Sequence, residues 1–83
     1  MTEREIQLLG FKREDEEDLY DHSYHYYTYK IANGFEFISN ASDEIKEGEE
    51  WYIEFFESNP SIRFTKFEEV QSLINLLEKR IVK

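Results

Sequence analysis

The chain has no cysteine, one proline and three glycines. Without thiols it can form neither disulfides nor thiolate-bound zinc or iron–sulfur sites, so nothing in it requires an oxidising compartment. It contains no glycine-rich phosphate loop and no serine-hydrolase or zinc-peptidase motif. No stretch approaches the ~20 apolar residues of a membrane helix, and the polar start shows no signal peptide or lipidation motif. These absences predict a soluble cytoplasmic protein.

Aromatic residues are abundant: seven Phe, six Tyr and one Trp occur among the 83 residues. A chain of this length forms one domain, here residues 1–83, and buries only about 60–65% of its unfolded surface. A small core gains stability from large side chains, because each aromatic ring buries a large apolar area. The composition therefore predicts a small core rich in rings.

The net charge of −9 is unevenly distributed along the chain. Residues 14–57 carry fourteen acidic and two basic side chains, whereas the segments 1–13 and 58–83 are slightly basic. Such a field repels nucleic acids and anionic membranes and attracts basic surfaces. We expect a protein partner with a basic surface, with no direct binding of nucleic acid and no membrane contact.

The first 18 residues predict a short helix followed by a loop. Thr2-x-x-Glu5 has the form of a capping box, and Gly10 suits the left-handed position after a helix that ends near residue 9. The next segment, residues 14–18, is five consecutive carboxylates without an apolar partner. It is predicted to be a solvated linker or mobile loop.

A hairpin is predicted around Asn33-Gly34, which separates two segments with the alternation of strands. A two-residue turn would place charged and apolar residues on the same face. A three-residue loop with Gly34 in the left-handed position gives two consistent faces, and we prefer it. Its register pairs Ile31 with Phe35, Lys30 with Glu36, and Tyr29 with Phe37.

Two further strands are predicted at residues 51–57 and 62–64, with a helical turn near residues 42–46 in the loop before them. A second capping-box pattern, Thr65-x-x-Glu68, precedes an apolar stripe of helical spacing that runs to Ile81. The predicted fold class is α+β, a two-layer sandwich of order αββββα, in which the C-terminal helix packs on a four-stranded antiparallel meander. The expected inward face comprises Tyr27, Tyr29, Ile31, Phe35, Phe37, Trp51, Ile53, Phe55, Ile62 and Phe64.

The outward face of this sheet is predicted to be aromatic. It carries Tyr24, Tyr26, Thr28, Ile38, Tyr52 and Phe56, interleaved with Lys30, Glu36, Glu54 and Arg63. If nothing covers this face, it indicates a protein partner or a homodimer. The alternative is that the first helix and the acidic loop fold over it.

Candidate catalytic and metal sites are weak. Asp21, His22 and His25 could bind a metal only if His22 lies outside a regular strand, since residues three apart on a strand face opposite sides. The acidic segment 43–50 lacks the order of an EF-hand loop. The Glu49/Glu50 and Glu68/Glu69 pairs are expected to be exposed, without the burial that catalytic carboxylates need. We therefore predict no enzyme activity, no cofactor and no metal.

Taken along the whole chain, the sequence resembles small uncharacterised proteins of bacteria, their phages and mobile elements. The residues that carry the resemblance are Leu8-Leu9-Gly10-Phe11, the Tyr-rich strand, Trp51-Tyr52-Ile53-Glu54-Phe55, and Phe64-x-x-Phe67-Glu68-Glu69-Val70-x-x-Leu73-Ile74. They are core and cap positions, so the resemblance implies a shared fold and no chemistry. It favours host–phage roles, in which small acidic inhibitors of nucleic-acid enzymes recur.

The leading hypothesis is a non-enzymatic protein-binding protein, in its specific form an inhibitor that mimics nucleic acid to block a basic nucleic-acid-binding partner. Electrostatic steering is assigned to Glu14, Asp15, Glu16, Glu17 and Asp18. Docking is assigned to Tyr24, Tyr26, Tyr52, Glu54 and Phe56. The alternative is a structural or homodimeric domain whose acidity serves only solubility.

Overall fold

The computed structural model describes residues 1–17 and 23–82. The elements are, in chain order, α1 (Glu3–Leu8), β1 (Lys12–Glu17), β2 (Ser23–Ala32), β3 (Phe35–Ser39), α2 (Ser42–Lys46), β4 (Ile53–Phe55), β5 (Arg63–Phe64) and α3 (Phe67–Arg80). The strands form one antiparallel meander in the order β1-β2-β3-β4-β5. The predicted α+β class and the C-terminal helix are confirmed, but the sheet has five strands and not four.

The additional strand is the acidic run that was predicted to be a loop. Residues 12–17 pair with β2, with Glu14 opposite Tyr26 and Glu16 opposite Tyr24. Backbone pairing needs no apolar side chains, and an edge strand needs only one neighbour. Ion pairs within the strand, Lys12–Glu14 at 3.6 Å and Arg13–Asp15 at 3.0 Å, offset part of the carboxylate repulsion.

The β2–β3 hairpin has the predicted pairing of Tyr29 with Phe37 and of Lys30 with Glu36. The turn itself differs from the prediction, because Ala32 pairs with Phe35 and the extra residue is a bulge at Ile31. Of the two turn residues, only Gly34 has a positive φ, +79°. The bulge absorbs the extra residue and keeps apolar side chains on one face, as the three-residue loop was expected to do.

The first helix begins and ends as predicted. Thr2 and Glu5 form the reciprocal capping box, and Gly10, with a φ of +92°, follows the C-cap residue Leu9. The second capping box is wrong. The chain stays extended through Lys66, which is the N-cap of α3 and makes no side-chain cap.

The two last strands are shorter than expected, with pairing limited to residues 53–55 and 63–64. Ile62, predicted to face inward, precedes β5 and is 47% exposed. Because β5 has only two residues, the edge of the sheet that it forms is short. The predicted helical turn at residues 42–46 is confirmed as α2.

The core lies on one face of the sheet, which we call the inner face. Tyr27, Phe37 and Ile53 are buried there, and the rings of Phe37 and Phe55 stack at 4.8 Å. Trp51 packs edge-on against Tyr27 at 5.7 Å. This ring-rich cluster is the small aromatic core that the composition predicts.

Both α1 and α3 pack on the inner face. Ile6 of α1 is fully buried with Val70 and Ile74 of α3 in the same apolar cluster as the inward-facing sheet residues. Phe11, just after α1, contacts the rings of Tyr29 and Phe37. The alternative in which α1 folds over the other face of the sheet is therefore wrong.

The position of α1 can be tested with a matched pair of substitutions. Ile6→Ala should lower the free energy of unfolding by about 2–5 kcal/mol, because it removes a fully buried side chain from the interface between α1 and the sheet. Leu8→Ala, on the same helix but 62% exposed, should change it by less than about 0.5 kcal/mol. Urea denaturation followed by tryptophan fluorescence measures both. Equal effects of the two substitutions would contradict this packing.

Candidate binding surface

The face of the sheet opposite the core is the strongest candidate site, and we call it the outer face. Within residues 1–17 and 23–82, no helix lies on it, since α1 and α3 pack on the inner face and Ile45 of α2 packs against the same apolar cluster. The strand register places eleven side chains there: Lys12, Glu14, Glu16, Tyr24, Tyr26, Thr28, Lys30, Glu36, Ile38, Glu54 and Arg63. Tyr52, whose ring lies under Arg63, and Phe56, whose amide donates to the Glu36 carbonyl, extend the same face on either side of β4. None of these residues is buried.

Two tyrosines occupy the side of the outer face next to β1. Tyr26 lies opposite Glu14 and donates a weak hydrogen bond, at 3.4 Å, to Glu16. Burial raises the pKa of Tyr26, and the charges of Glu16 and Glu14 raise it further. Its hydroxyl therefore stays protonated at neutral pH and can serve as a hydrogen-bond donor.

A second aromatic group lies on the opposite side of the outer face. The Arg63 guanidinium sits 4.4 Å above the Tyr52 ring and 3.6 Å from the Glu54 carboxylate. Phe56 follows β4 and is 46% exposed. Arginine stacked on a ring and paired with a carboxylate is held in place, so this part of the surface is preorganised.

The outer face is nearly balanced in charge. Its four carboxylates, of Glu14, Glu16, Glu36 and Glu54, are accompanied by three cations. Lys12 and Arg63 form ion pairs with Glu14 and Glu54, and Lys30 lies opposite Glu36. Most of the excess acidity of residues 14–57 therefore lies outside this face.

The excess acidity is gathered at one end of the sheet. There the end of β1, the start of β2 and α2 meet, since the His25 amide donates a 2.9 Å hydrogen bond to Ser42 Oγ. Asp15 and Lys46 line the same cavity of about 200 Å³. We call this region the acidic end; its carboxylates are Asp15, Glu17, Asp43, Glu44, Glu47, Glu49 and Glu50.

The acidic end joins two segments that are far apart in sequence. Asn40 holds the second segment against the sheet, because its side chain donates to the Glu50 carbonyl at 2.9 Å and accepts from the Tyr52 amide at 3.0 Å. Arg13 forms an ion pair with Asp15, and Lys46 lines the same cavity, so cations accompany part of this acidity. The arrangement produces a negative field at one end of the molecule that can attract a basic partner.

Comparisons of the chain with protein-family models, with curated proteins and with solved structures found no match.

The structure brings the predicted steering and docking residues together. Pairing of β1 with β2 places Glu14 and Glu16 beside Tyr26 and Tyr24 on the outer face. Asp15 and Glu17 alternate with Glu14 and Glu16 along β1 and therefore lie on the opposite face of the strand. Asp18 lies outside the described residues. Tyr52, Glu54 and Phe56 occupy the far side of the same face.

His25, considered as a metal ligand, lies in a hydrogen-bonded cluster between α1 and the sheet. Its Nε2 is 2.6 Å from Glu3 Oε2, which also accepts a 2.6 Å hydrogen bond from the Tyr27 hydroxyl. Gln7 donates to the same hydroxyl at 3.2 Å. Asp21 and His22, the other proposed ligands, lie outside the described residues. In the described part of the chain no group of three or more potential ligands could hold a metal ion.

Sequence reasoning missed this cluster. Glu3 lies at the start of α1, and no signal along the chain connects it with His25 and Tyr27, which lie more than twenty residues away. Separately, no helix among the described residues is long and apolar enough to span a membrane.

The cluster predicts a change in acid stability. Burial raises the pKa of Glu3, but hydrogen bonds from Tyr27 and His25 offset this and hold it below its ordinary value of 4.5. A depressed carboxyl pKa stabilises the fold above the unfolded pKa, and this contribution is lost as the pH falls through the folded pKa. With Glu3→Gln, the free energy of unfolding should therefore decrease less than in the wild type as the pH falls below about 4.5.

The measurement is urea denaturation at a series of pH values between neutral and strongly acidic. Glu47→Gln, which removes an exposed carboxylate outside the cluster, is the matched control and should follow the wild-type curve. If the free energy of unfolding of Glu3→Gln fell with pH as steeply as that of the wild type, protonation of Glu3 would not contribute to acid unfolding.

Proposed function

We propose that the protein is a non-enzymatic binding protein that docks on the basic surface of another protein. The observation that carries this proposal is an aromatic sheet face left open by both packing helices and continuous with the acidic end. Solitary domains rarely leave large contiguous apolar patches exposed, and tyrosine is enriched in protein interfaces.

The two regions have different roles in this proposal. The acidic end supplies a long-range field that steers a basic partner and raises the rate of encounter. The outer face supplies short-range contacts through Tyr24, Tyr26, Tyr52 and Phe56. Glu54 is held by Arg63 and gives that side of the docking face a fixed polar contact.

The specific form of the proposal is an inhibitor that occupies a nucleic-acid-binding surface. Glu14 and Glu16, two residues apart along β1, hold their carboxylates on the outer face at intervals of about 6.6 Å. Together with the acidic end, they present negative charge to a basic groove. A role in conflict between bacteria and phages or mobile elements agrees with such an inhibitor and forms part of the proposal.

A second candidate is a homodimeric or structural domain whose acidity only confers solubility. The near balance of charge on the outer face favours it, because two such faces can meet without strong repulsion. A dimer that buries both outer faces would leave no docking face for a partner.

Charge reversal tests the proposal. The wild type and Glu14→Lys/Glu16→Lys are immobilised, exposed to host lysate and washed at rising salt, and the retained proteins are identified by mass spectrometry. Basic nucleic-acid-binding proteins should be retained by the wild type and released by moderate salt, because screening weakens exposed charge pairs. The variant should retain little, since it reverses the field beside Tyr24 and Tyr26.

The matched control is Glu68→Lys/Glu69→Lys, which changes the net charge equally at two exposed positions of α3, outside both the outer face and the acidic end. It should retain the same proteins as the wild type, with a modest loss in affinity. Equal losses in both double variants would show that net charge alone is responsible. Light scattering after size exclusion reveals whether the wild type is a dimer, and a tight dimer that retains no protein would refute the proposal.

A further inference from the structure

The open edge of the sheet at β1 has backbone groups available for another strand. β1 is the first strand in the sheet order, so only one of its sides is paired. Among the described residues, its only backbone partner is β2. An unpaired edge of this kind is a template for an additional strand, which joins through main-chain hydrogen bonds.

Hydrogen bonds of β2 reveal which residues of β1 face the open side. The amides of His25 and Tyr27 donate to Ser42 and Ser39, away from β1. In an antiparallel ladder the amide and carbonyl of one residue point to the same side, and successive residues alternate. Tyr24, Tyr26 and Thr28 therefore direct their backbone groups toward β1.

The same alternation extends to β1 through the observed register. Lys12, Glu14 and Glu16 lie opposite Thr28, Tyr26 and Tyr24, so their backbone groups are used in the pairing with β2. The residues between them direct their amides and carbonyls to the open edge. Those residues are Arg13, Asp15 and Glu17.

We infer that the β1 edge binds an extended basic segment of a partner protein, which adds as a sixth strand. This inference rests on the proposed function and names how the partner is held. Four of the six side chains of β1 are acidic. On the outer face, Glu14 and Glu16 lie between the open edge and their β2 neighbours, Tyr26 and Tyr24. An added strand with cations on its outer-face side would place them beside these two carboxylates.

A second copy of the chain fits this edge less well than a basic segment. Antiparallel pairing of two β1 strands about a two-fold axis in the middle of the strand places either Glu14 or Asp15 opposite its own copy. Like charges directly opposite each other are destabilising. The Glu14 register also places Lys12 opposite Glu16 and Arg13 opposite Asp15, so the stronger obstacle is the net charge of −9 that each chain carries. A basic strand has no such conflict at these positions.

The geometry specifies which amides of the added strand bond to β1. Residues opposite Glu14 and Glu16 have their side chains on the outer face and their amides directed away from β1. Residues opposite Arg13, Asp15 and Glu17 have amides that bond to the edge. A suitable probe is a capped seven-residue peptide in which threonine and lysine alternate, with lysine at the positions opposite Glu14 and Glu16.

Two N-methylated forms of the peptide test the pairing at constant charge. Methylation of the threonine amides should lower the affinity by about ten-fold or more, because it removes the hydrogen bonds to the edge. Methylation of the lysine amides should leave the affinity within about two-fold, since those amides point away from β1. Titration calorimetry with the full chain at low salt measures all three peptides.

Two variants of the protein give an independent test. Asp15→Pro removes an amide that faces the open edge while sparing the pairing with β2, and proline is tolerated at such edge positions. Asp15→Asn removes the same charge but keeps the amide. Asp15→Pro should bind the peptide about ten-fold more weakly than Asp15→Asn. Circular dichroism and urea denaturation verify that both variants keep the fold.

The outcomes separate this inference from the proposed function. Selective loss with the threonine-methylated peptide and with Asp15→Pro supports strand addition. Equal binding of both methylated peptides would overturn strand addition but leave the proposed docking on a basic surface intact. No binding of the parent peptide, or a dimer formed through β1, would overturn the inference, and the charge-reversal experiment would then decide the proposed function by itself.

Discussion

The packing of α1 and α3 against one face of the sheet is the interaction on which the rest of the structure depends. Ile6, Val70 and Ile74 meet the rings of Tyr27 and Phe37 there, and together they form the apolar core. Eighty-three residues supply only these two helices of more than five residues among the described parts of the chain. Since both are used on the inner face, the outer face is left open to solvent.

This constraint also explains why a strongly acidic segment can be part of the sheet. A strand at the edge of a one-sided sheet needs one hydrogen-bonded neighbour and little apolar burial. Lys12 and Arg13, at the start of β1, form ion pairs with Glu14 and Asp15 and limit the repulsion along the strand. The pairing of β1 with β2 also places aromatic and acidic residues side by side on the candidate surface.

The position of the acidity changes how the surface can work. Cations accompany most of the carboxylates on the outer face, whereas the acidic end combines the end of β1 with residues 43–50. A partner approaching this molecule would meet the field of the acidic end before it contacted the outer-face rings. In the proposed function, steering and contact therefore belong to adjacent but different regions.

Much of the fold could be predicted because local patterns report on it. The alternation around Asn33-Gly34 determined the pairing of Tyr29 with Phe37, since a slip of one residue would turn every ring to the other face. The capping box at Thr2 predicted the start of α1, and the apolar stripe at helical spacing predicted α3. The second capping box failed because Lys66, and not Thr65, is the extended N-cap residue from which α3 begins. The exit of the chain from β5 sets this start, and no local pattern contains that constraint.

The sequence by itself determined the aromatic core, the antiparallel hairpin, the terminal helices and the large negative charge, because each depends on composition or on spacing along the chain. Only the tertiary structure decided that residues 12–17 form a strand, that α1 leaves the outer face open, and that two distant acidic segments meet. These features depend on which surfaces are left after the core is packed, and Glu3, His25 and Tyr27 come together for the same reason. Such contacts join residues that no periodicity relates.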